Sequence, residues 1–286
     1  YSVTKIDFLE TEERNINVDL VQLNFPVSNS ISSEQKYTEI VNIIKESNAE
    51  LIIFGENNLP FLVDDLKKIQ LSRNLKSNQN IIIGATRKEN NNYYNSLFFI
   101  NNKKIDVFDK KILVPFGEFV PFRNLIGFMN IIAGSADFSI GSKSRYIEID
   151  KKINFIPVIC YEIIFFWKLI YKKNLNSDMI VNITNDSWFG NLIGPYQHFY
   201  LSKMRSTEFN KPLIRVSNNG ISAIFSQDGR VLKATKLNTK EVLNFNLKLK
   251  KGKNLIFVHK IVNIIIILFF FTILILQISK NGRKYS

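Results

Sequence analysis

The stretch Val158-Ile159-Cys160-Tyr161-Glu162 decides how this chain is read. The mostly apolar run 153–159 has the length and composition of a buried strand. It carries the single cysteine of the chain to its end, with a carboxylate two residues later. In open α/β architectures the ligand crevice lies outside the carboxyl ends of the strands, and a thiol there becomes a thiolate when positive charge sits nearby. A lone cysteine can equally be a small core hydrophobe. The flanks weigh against that, because Ile163-Ile164-Phe165-Phe166-Trp167 follow at once and predict a helix packed under a strand-end elbow.

Composition bounds the class. With 286 residues, 45% hydrophobic and 13% aromatic, the chain is long enough for one large domain or two small ones and buries a sizeable core. A formal net charge of +13 would ordinarily suggest nucleic acid or an anionic membrane. The lysines are scattered through an Asn-, Ile- and Lys-rich chain and form no aromatic-interleaved basic stripe, so nucleic acid is not expected as a partner. One cysteine excludes an internal disulfide and a cysteine metal cluster. His198 and His259 are too few and too far apart for a metal site, and no cofactor is expected. The chain starts at Tyr1 without an initiator methionine or signal peptide, which leads us to expect the carboxyl-terminal part of something longer.

In chain order, residues 1–16 are polar and acidic and read as a linker. Residues 17–24 alternate at period two as a strand would, closed by Pro26. Residues 33–47 suit an amphipathic helix after a serine cap. Leu51-Ile52-Ile53-Phe54-Gly55-Glu56 is a buried strand ending in a carboxylate, which makes Glu56 a second candidate site residue. A helix is predicted over 63–74, then strands at 81–85, 94–100 and 104–108, the last two as a hairpin. The segment 108–121 holds two prolines, a glycine and two adjacent lysines, and its apolar content predicts an ordered loop that lines a cleft or touches a membrane. That apolar character continues over 126–133. A strand at 178–183 leads into Thr184-Asn185-Asp186-Ser187-Trp188-Phe189-Gly190, and a helix spans 194–210. Strands follow at 213–217, 221–226 and 230–234, with Asp228-Gly229 as a hairpin turn. Strands alternating with helices, then hairpins, predict a mixed-sheet α/β fold with helices covering the sheets.

The tail changes the setting. Residues 261–278 are broken only by Asn263, Thr272 and Gln277, long enough to span a hydrocarbon core. A buried core helix of that length would keep a polar face, so a transmembrane helix is expected, with a basic linker over 246–260 and a tail at 279–286. Lys248, Lys250, Lys251, Lys253 and Lys260 precede the span and Lys280, Arg283 and Lys284 follow it, so local charge does not fix its orientation.

Glu56, Lys110 and Cys160, in that order and each at or just after a strand, resemble the Glu-Lys-Cys triad of the nitrilase superfamily. The segments Lys110-x-x-Leu113-Val114-Pro115-Phe116-Gly117-Glu118-x-Val120-Pro121, Cys160-Tyr161-Glu162, Asn185 to Gly190, and Gly194-Pro195-Tyr196-Gln197-His198-Phe199 with Arg205 and Glu208 more narrowly resemble the apolipoprotein N-acyltransferases. The resemblance covers residues 17–245 and the closing hydrophobic segment. It departs after Pro26, where that family commonly carries a tryptophan and this chain has Val27-Ser28-Asn29-Ser30. The family also has several amino-terminal membrane helices that are absent from this sequence.

The resemblance implies a four-layer α-β-β-α sandwich followed by a membrane helix, on a domain facing the periplasm from the inner membrane. It places Glu56 as general base and acid, Lys110 as stabiliser of the thiolate and the oxyanion, and Cys160 as nucleophile. Glu118 is expected to orient the lysine, and Glu162 to position a substrate amine or the loop. Tyr161, Trp188 and Phe116 are substrate-binding candidates, although both Trp188 and Phe116 could be ordinary core or lipid-facing aromatics. The implied reaction has two halves: Cys160 takes an acyl chain from a glycerophospholipid, and the amino group of a diacylglyceryl apolipoprotein then accepts it. The expected partners are these two substrates and the membrane, with the enzyme a monomer. A nitrilase-like amidohydrolase using water as acceptor, and an inactive membrane interaction module, remain as alternatives.

Overall fold

The computed structural model describes residues 13–26, 30–66, 69–121, 137–150, 153–171, 174–249, 264–273 and 275. Two six-stranded sheets form its frame, in the orders β12-β1-β2-β3-β4-β5 and β11-β10-β9-β8-β7-β6. The first contains β1 (Arg14–Gln22), β2 (Leu51–Phe54), β3 (Asn80–Glu89), β4 (Asn92–Ile100), β5 (Ile105–Asp109) and β12 (Glu241–Leu249). The second contains β6 (Ile147–Glu148), β7 (Asn154–Ile159), β8 (Met179–Thr184), β9 (Leu213–Ser217), β10 (Ala223–Phe225) and β11 (Val231–Ala234). Strands β1, β2 and β3 run parallel in one sheet and β7, β8 and β9 in the other, with antiparallel strands outside them.

Period two explains why the sheets stack. Ile16, Val18, Leu20, Leu51, Ile53, Leu97 and Phe99 of the first sheet meet Phe155, Ile159, Met179, Val181, Ile183, Ile214 and Val216 of the second in one buried core. Phe99 and Phe155 touch across it, ring centroids 6.4 Å apart. The intervening residues point outward. Ile52, Phe54, Ile81, Ile83 and Phe98 pack under α1 (Ser33–Glu46) through Ile40 and Ile44. Ile156, Val158, Ile180 and Leu213 pack under α2 (Gly194–Phe209) through Phe199 and Phe209. Strands buried on both faces need continuous apolar runs, which is why the central strands carry so few polar residues. The result is the four-layer α-β-β-α order implied by the resemblance.

Helix α1 begins where its cap predicts. Ser32 Oγ accepts from the Gln35 amide at 3.1 Å and the Ser32 amide donates to Gln35 Oε1 at 3.0 Å, a reciprocal capping box. We expect Ser32→Ala to cost about 1 kcal/mol in a denaturant melt, without touching the site.

The sequence reading needs correction in four places. Among the described residues of 63–74 no α-helix forms: the Val63 amide donates to the Thr86 carbonyl at 2.9 Å and its carbonyl accepts from the Lys88 amide at 2.8 Å. Pairing with β3 thus takes the Val63 carbonyl that a helix starting there would need, and a 3₁₀ turn is described at Leu71–Asn74. After Cys160 the chain makes two 3₁₀ turns, Cys160–Ile164 and Phe166–Lys168, rather than the start of an α-helix. Residues 14–16 belong to β1, because Arg14, Asn15 and Ile16 pair with Leu249, Lys248 and Leu247 of a strand unseen in the sequence, β12. That strand also takes up 246–249, the start of the predicted basic linker.

Of the predicted span 261–278, residues 264–273 and 275 are helical and expose their apolar side chains. No helix among the described residues is long and apolar enough to cross a membrane. The rest of the span, most of the two linkers, the tail and the apolar stretch 126–133 lie outside the described residues.

Candidate active site

Glu56, Lys110 and Cys160 reach one place because β2, β5 and β7 end at the same edge of the sandwich. The two sheets are stitched together there by backbone bonds: the Glu56 amide, beyond β2, donates to the Thr184 carbonyl of β8 at 3.2 Å, and the Asn24 amide, beyond β1, donates to the Asn218 carbonyl, beyond β9, at 2.7 Å. Close approach of the chain beyond β2 also requires Gly84, where a Cβ would stand 2.5 Å from the Asn57 nitrogen.

Cys160 follows β7 with φ of 49°, a left-handed conformation rare for a residue with a side chain. The sharp turn ends the strand and starts the first 3₁₀ turn, and the thiol stays buried, close enough to Glu56 for each to shift the other's pKa. Glu56 is also buried. Its Oε1 accepts from Asn95 Nδ2 at 2.8 Å and its Oε2 from the Asn185 amide at 2.8 Å. Lys110 is only 1% exposed, and its Nζ lies 2.8 Å from Glu118 Oε1 and 3.5 Å from Glu56 Oε1. Burial separates it from the neighbouring Lys111, which is half-buried with its Nζ 5.8 Å from the Tyr171 ring centre.

Two carboxylates and one ammonium are thus held together away from water. Burial raises the Glu56 pKa above that of a free carboxylate, against the opposing pull of Lys110 and Asn95. Burial pulls Lys110 down, but Glu56, Cys160 and Glu118 more than offset this and hold it charged. The Cys160 thiol is pushed up to about 12 by burial and by the Glu56 charge, with Lys110 and a Thr184 hydrogen bond acting the other way. At neutral pH the resting sulfur is therefore a thiol beside a carboxylate of heightened basicity. The arrangement would allow Glu56 to take the thiol proton and Lys110 to stabilise negative charge developing on sulfur or on a carbonyl oxygen.

Glu118 and Glu162 do different work. Glu118 shares Oε1 between Lys110 Nζ and Asn95 Nδ2, at 2.8 Å each, and Oε2 accepts from the Val114 amide at 2.8 Å. It ties the lysine to the turn of its own loop. Glu162 is fully buried and bonded to Arg145 and to the Lys111, Ile112 and Ile159 amides. Both Glu162 carboxylate oxygens are taken up by these bonds, which tie it to the loop at Lys111 and Ile112.

The loop 108–121 is ordered through residue 121. The Phe116 amide donates to the Phe119 carbonyl at 2.7 Å, and Gly117 and Glu118 both donate to Val114. Phe116 itself has φ of 63° and is 60% exposed. Trp188 is 82% exposed, so neither ring is a core residue. Tyr161 is half-buried, packed edge-on against Phe165 with ring centroids 5.1 Å apart.

The family question is decided by a match to the carbon-nitrogen hydrolase family over residues 18–256. The chain belongs to the carbon-nitrogen hydrolase family. Its fold agrees with solved carbon-nitrogen hydrolases. A superfamily protein from Xanthomonas campestris superposes with a TM-score of 0.62 at 14% identity, covering 82% of this chain and 91% of that one. A nitrilase-superfamily member from Saccharomyces cerevisiae gives 0.62 at 19% identity, covering 82% and 90%. Among curated proteins, the apolipoprotein N-acyltransferase of Allorhizobium ampelinum is 31% identical over 268 residues, covering 85% of this chain and 50% of that protein. That of Rickettsia typhi is 34% identical over 252 residues, covering 83% and 50%. The chain spans about half the length of these curated relatives.

This carbon-nitrogen hydrolase holds three site features that sequence reasoning missed. Asn95 donates to both Glu56 and Glu118. Its signal was an amide on the inward face of β4, in register with the apolar Leu97 and Phe99. Arg145 gave no signal, since it stands in an irregular loop before β6. The third is a buried cluster beneath Cys160. Arg215 Nη2 donates to Asp186 Oδ2 at 2.5 Å, His198 Nδ1 lies 2.9 Å from Asp186 Oδ1, and His198 Nε2 lies 3.3 Å from the Cys160 carbonyl oxygen. Among the described residues no group of three or more His, Cys, Asp or Glu could hold a metal ion. A cavity of about 810 Å³ between α1 and β12, bordered by Glu34, Glu39 and Lys240, contains none of the site residues.

Asp186 allows a stability prediction. Burial alone would raise its carboxyl, but Arg215 and His198 hold it well below the usual carboxylate range. Its folded pKa is depressed, so its contribution is present above the unfolded value and disappears only as pH falls toward the folded one. Asp186→Asn leaves Arg215 buried with a neutral partner, and we expect a loss of about 3–5 kcal/mol by denaturant unfolding at pH 7. The loss relative to wild type should shrink in acid.

Proposed function

We propose that this chain is the catalytic part of a membrane enzyme that moves a fatty acyl chain from a glycerophospholipid, through a thioester on Cys160, to the amino-terminal amine of an apolipoprotein. The observation that carries this is the buried Glu56, Lys110 and Cys160 cluster with Glu118 behind the lysine, in a chain whose curated relatives are apolipoprotein N-acyltransferases. In the first half-reaction Glu56 takes the thiol proton as sulfur attacks the ester carbonyl, and Lys110 stabilises the oxyanion. The oxyanion collapses, the C–O bond breaks, and Glu56 returns the proton to the departing lysophospholipid. In the second, the acceptor amine attacks the thioester, loses a proton to Glu56, and expels the sulfur as thiolate, which recovers that proton.

A lipid donor agrees with the exposed aromatics. Phe116 in the Lys110 loop, Phe166 and Trp167 after the nucleophile, and Trp188 after β8 are apolar groups open to solvent on segments that flank the site. We assign Phe116, Tyr161 and Trp188 to acyl-chain or acceptor contact. The catalytic unit, 17–245 with the strand extensions described above, would be followed by a membrane helix over 261–278, with the site at the periplasmic face of the inner membrane and the enzyme acting as a monomer.

The discriminating experiment supplies the full-length protein with phospholipid and a diacylglyceryl lipopeptide bearing a free α-amine. The proposal predicts amide formation on the peptide together with lysophospholipid. Release of free fatty acid at the same rate with or without the peptide would instead assign water as acceptor, the amidohydrolase reading. Sidedness is read separately: cysteines introduced at Lys240 should react with a membrane-impermeant thiol reagent in cells with a permeable outer membrane, and cysteines after Lys280 should not. The reverse pattern would remove lipoprotein acylation as the function.

A further inference from the structure

Arg145 and Glu162 form a fully buried ion pair to which the chemistry above gives no step. Arg145 donates from Nη2 to Glu162 Oε1 at 2.5 Å and from Nη1 to Oε2 at 2.7 Å, with a further Nη1 bond to the Pro157 carbonyl at 3.2 Å. Its guanidinium lies 5.0 Å from the ring centre of Phe108, two residues before Lys110. Asn174 Nδ2 donates to the Arg145 carbonyl at 2.9 Å and fixes the backbone beneath.

Glu162 extends that hold to both catalytic segments. It accepts from the Lys111 amide at 2.7 Å and the Ile112 amide at 3.1 Å, just after the lysine, and from the Ile159 amide at 2.9 Å, just before the cysteine. These segments come from opposite sheets, since Lys110 follows β5 and Cys160 follows β7. One carboxylate therefore bridges the carriers of the ammonium and the thiol, and one bidentate guanidinium fixes that carboxylate. Bidentate Arg-carboxylate pairing sets orientation as well as distance, which a lysine cannot reproduce.

We infer that Arg145 is a positioning residue: by locking Glu162 it sets the placement of the Lys110 ammonium relative to the Cys160 sulfur. The inference rests on the roles proposed for Lys110 and Cys160. A buried ion pair is a weak source of net stability, whereas a shift of about 1 Å at a reacting centre can cost about 100-fold in rate. Positioning is thus the larger effect to expect from this pair.

The test uses the full-length protein with Arg145→Lys, Arg145→Met and Glu162→Gln. Three quantities are measured: the alkylation rate of Cys160 by iodoacetamide across pH, the single-turnover acylation rate with phospholipid, and the donor KM. In each folded variant we expect the alkylation profile to move to higher pH, because the ammonium that favours the thiolate is displaced, with alkylation at a fixed alkaline pH falling about tenfold. Acylation should slow by about 10- to 100-fold while KM changes by less than about threefold. The Arg145→Met, Glu162→Gln double variant should lose less than the product of the single losses, since both act through one contact. An unchanged alkylation profile and acylation rate in a folded variant, with only the melting temperature lowered, overturns the inference and leaves a structural arginine. Should Arg145→Met fail to fold, Arg145→Lys keeps the charge and carries the same decision. If wild type forms no adduct on Cys160, the acyl-transfer reading fails, and the alkylation profiles still decide whether Arg145 governs the coupling of lysine to thiol.

Discussion

Cys160→Ala should abolish the acyl-enzyme and lower turnover by roughly 10⁴-fold or more, the scale on which removing a nucleophile from a coupled site acts. The fold should survive, because the side chain lost is small and alanine can occupy the core position beside Ile159 and Ile183. Cys160→Ser should also be nearly inactive. Its hydroxyl is far harder to ionise than a thiol already pushed up to about 12, and the left-handed turn at φ of 49° is retained in both variants. Turnover together with a melting curve checks this: wild-type activity in either variant would remove Cys160 from the chemistry, and a lost melting transition would mean the residue is structural.

The second large effect is expected at Glu56. Glu56→Gln keeps the shape and one acceptor oxygen for Asn95 or the Asn185 amide, but it cannot take a proton. Both half-reactions should slow by about 10²- to 10⁴-fold. The pH dependence carries the sign. Glu56 must be ionised to act as base and burial raises its pKa, so the wild-type acylation rate should climb with pH through a value above that of a free carboxylate. In Glu56→Gln that limb should vanish. Stability should move the other way: a carboxylate whose folded pKa is raised contributes stability at low pH that is lost as pH rises through the folded value. Glu56→Gln sets its amide nitrogen against the Asn95 or Asn185 donor, so it should lower the melting temperature, but by less at pH 8 than at pH 5, because the wild-type contribution has already been lost at the higher pH. Acylation at the wild-type rate in Glu56→Gln would make this carboxylate structural.

How far the sequence carried the fold depended on where burial was decided. β2, β7 and β8 are short apolar runs covered on both faces, so local composition alone marks them, and each ends in the polar residue that matters: Glu56, Cys160, or the Asn185 and Asp186 pair. β12 was invisible because its alternation is polar on one side, with Val242 exposed and Leu243, Leu247 and Leu249 inward, and its partner β1 lies some 220 residues away in the chain. Residues 63–74 misled for the opposite reason. Val63, Leu66 and Ile69 have helical spacing, yet the backbone of Val63 is already committed to Thr86 and Lys88, a long-range pairing that periodicity cannot reveal. Within the site, Glu118 was legible from its loop because it lies close in sequence to the lysine it holds. Asn95 was masked by a chain rich in asparagine, and Arg145 finds Glu162 only through the tertiary fold.

The central claim is that Cys160 carries an acyl group. Its most direct test is intact-mass spectrometry of the full-length protein after incubation with a phospholipid of defined acyl composition, followed by peptide mapping and hydroxylamine treatment. The account predicts a mass increase equal to one fatty acyl chain less one proton, located on the peptide containing Cys160 and removed by hydroxylamine. An adduct of the same mass in Cys160→Ala, or turnover with no thioester trapped when the acceptor is withheld, would contradict it.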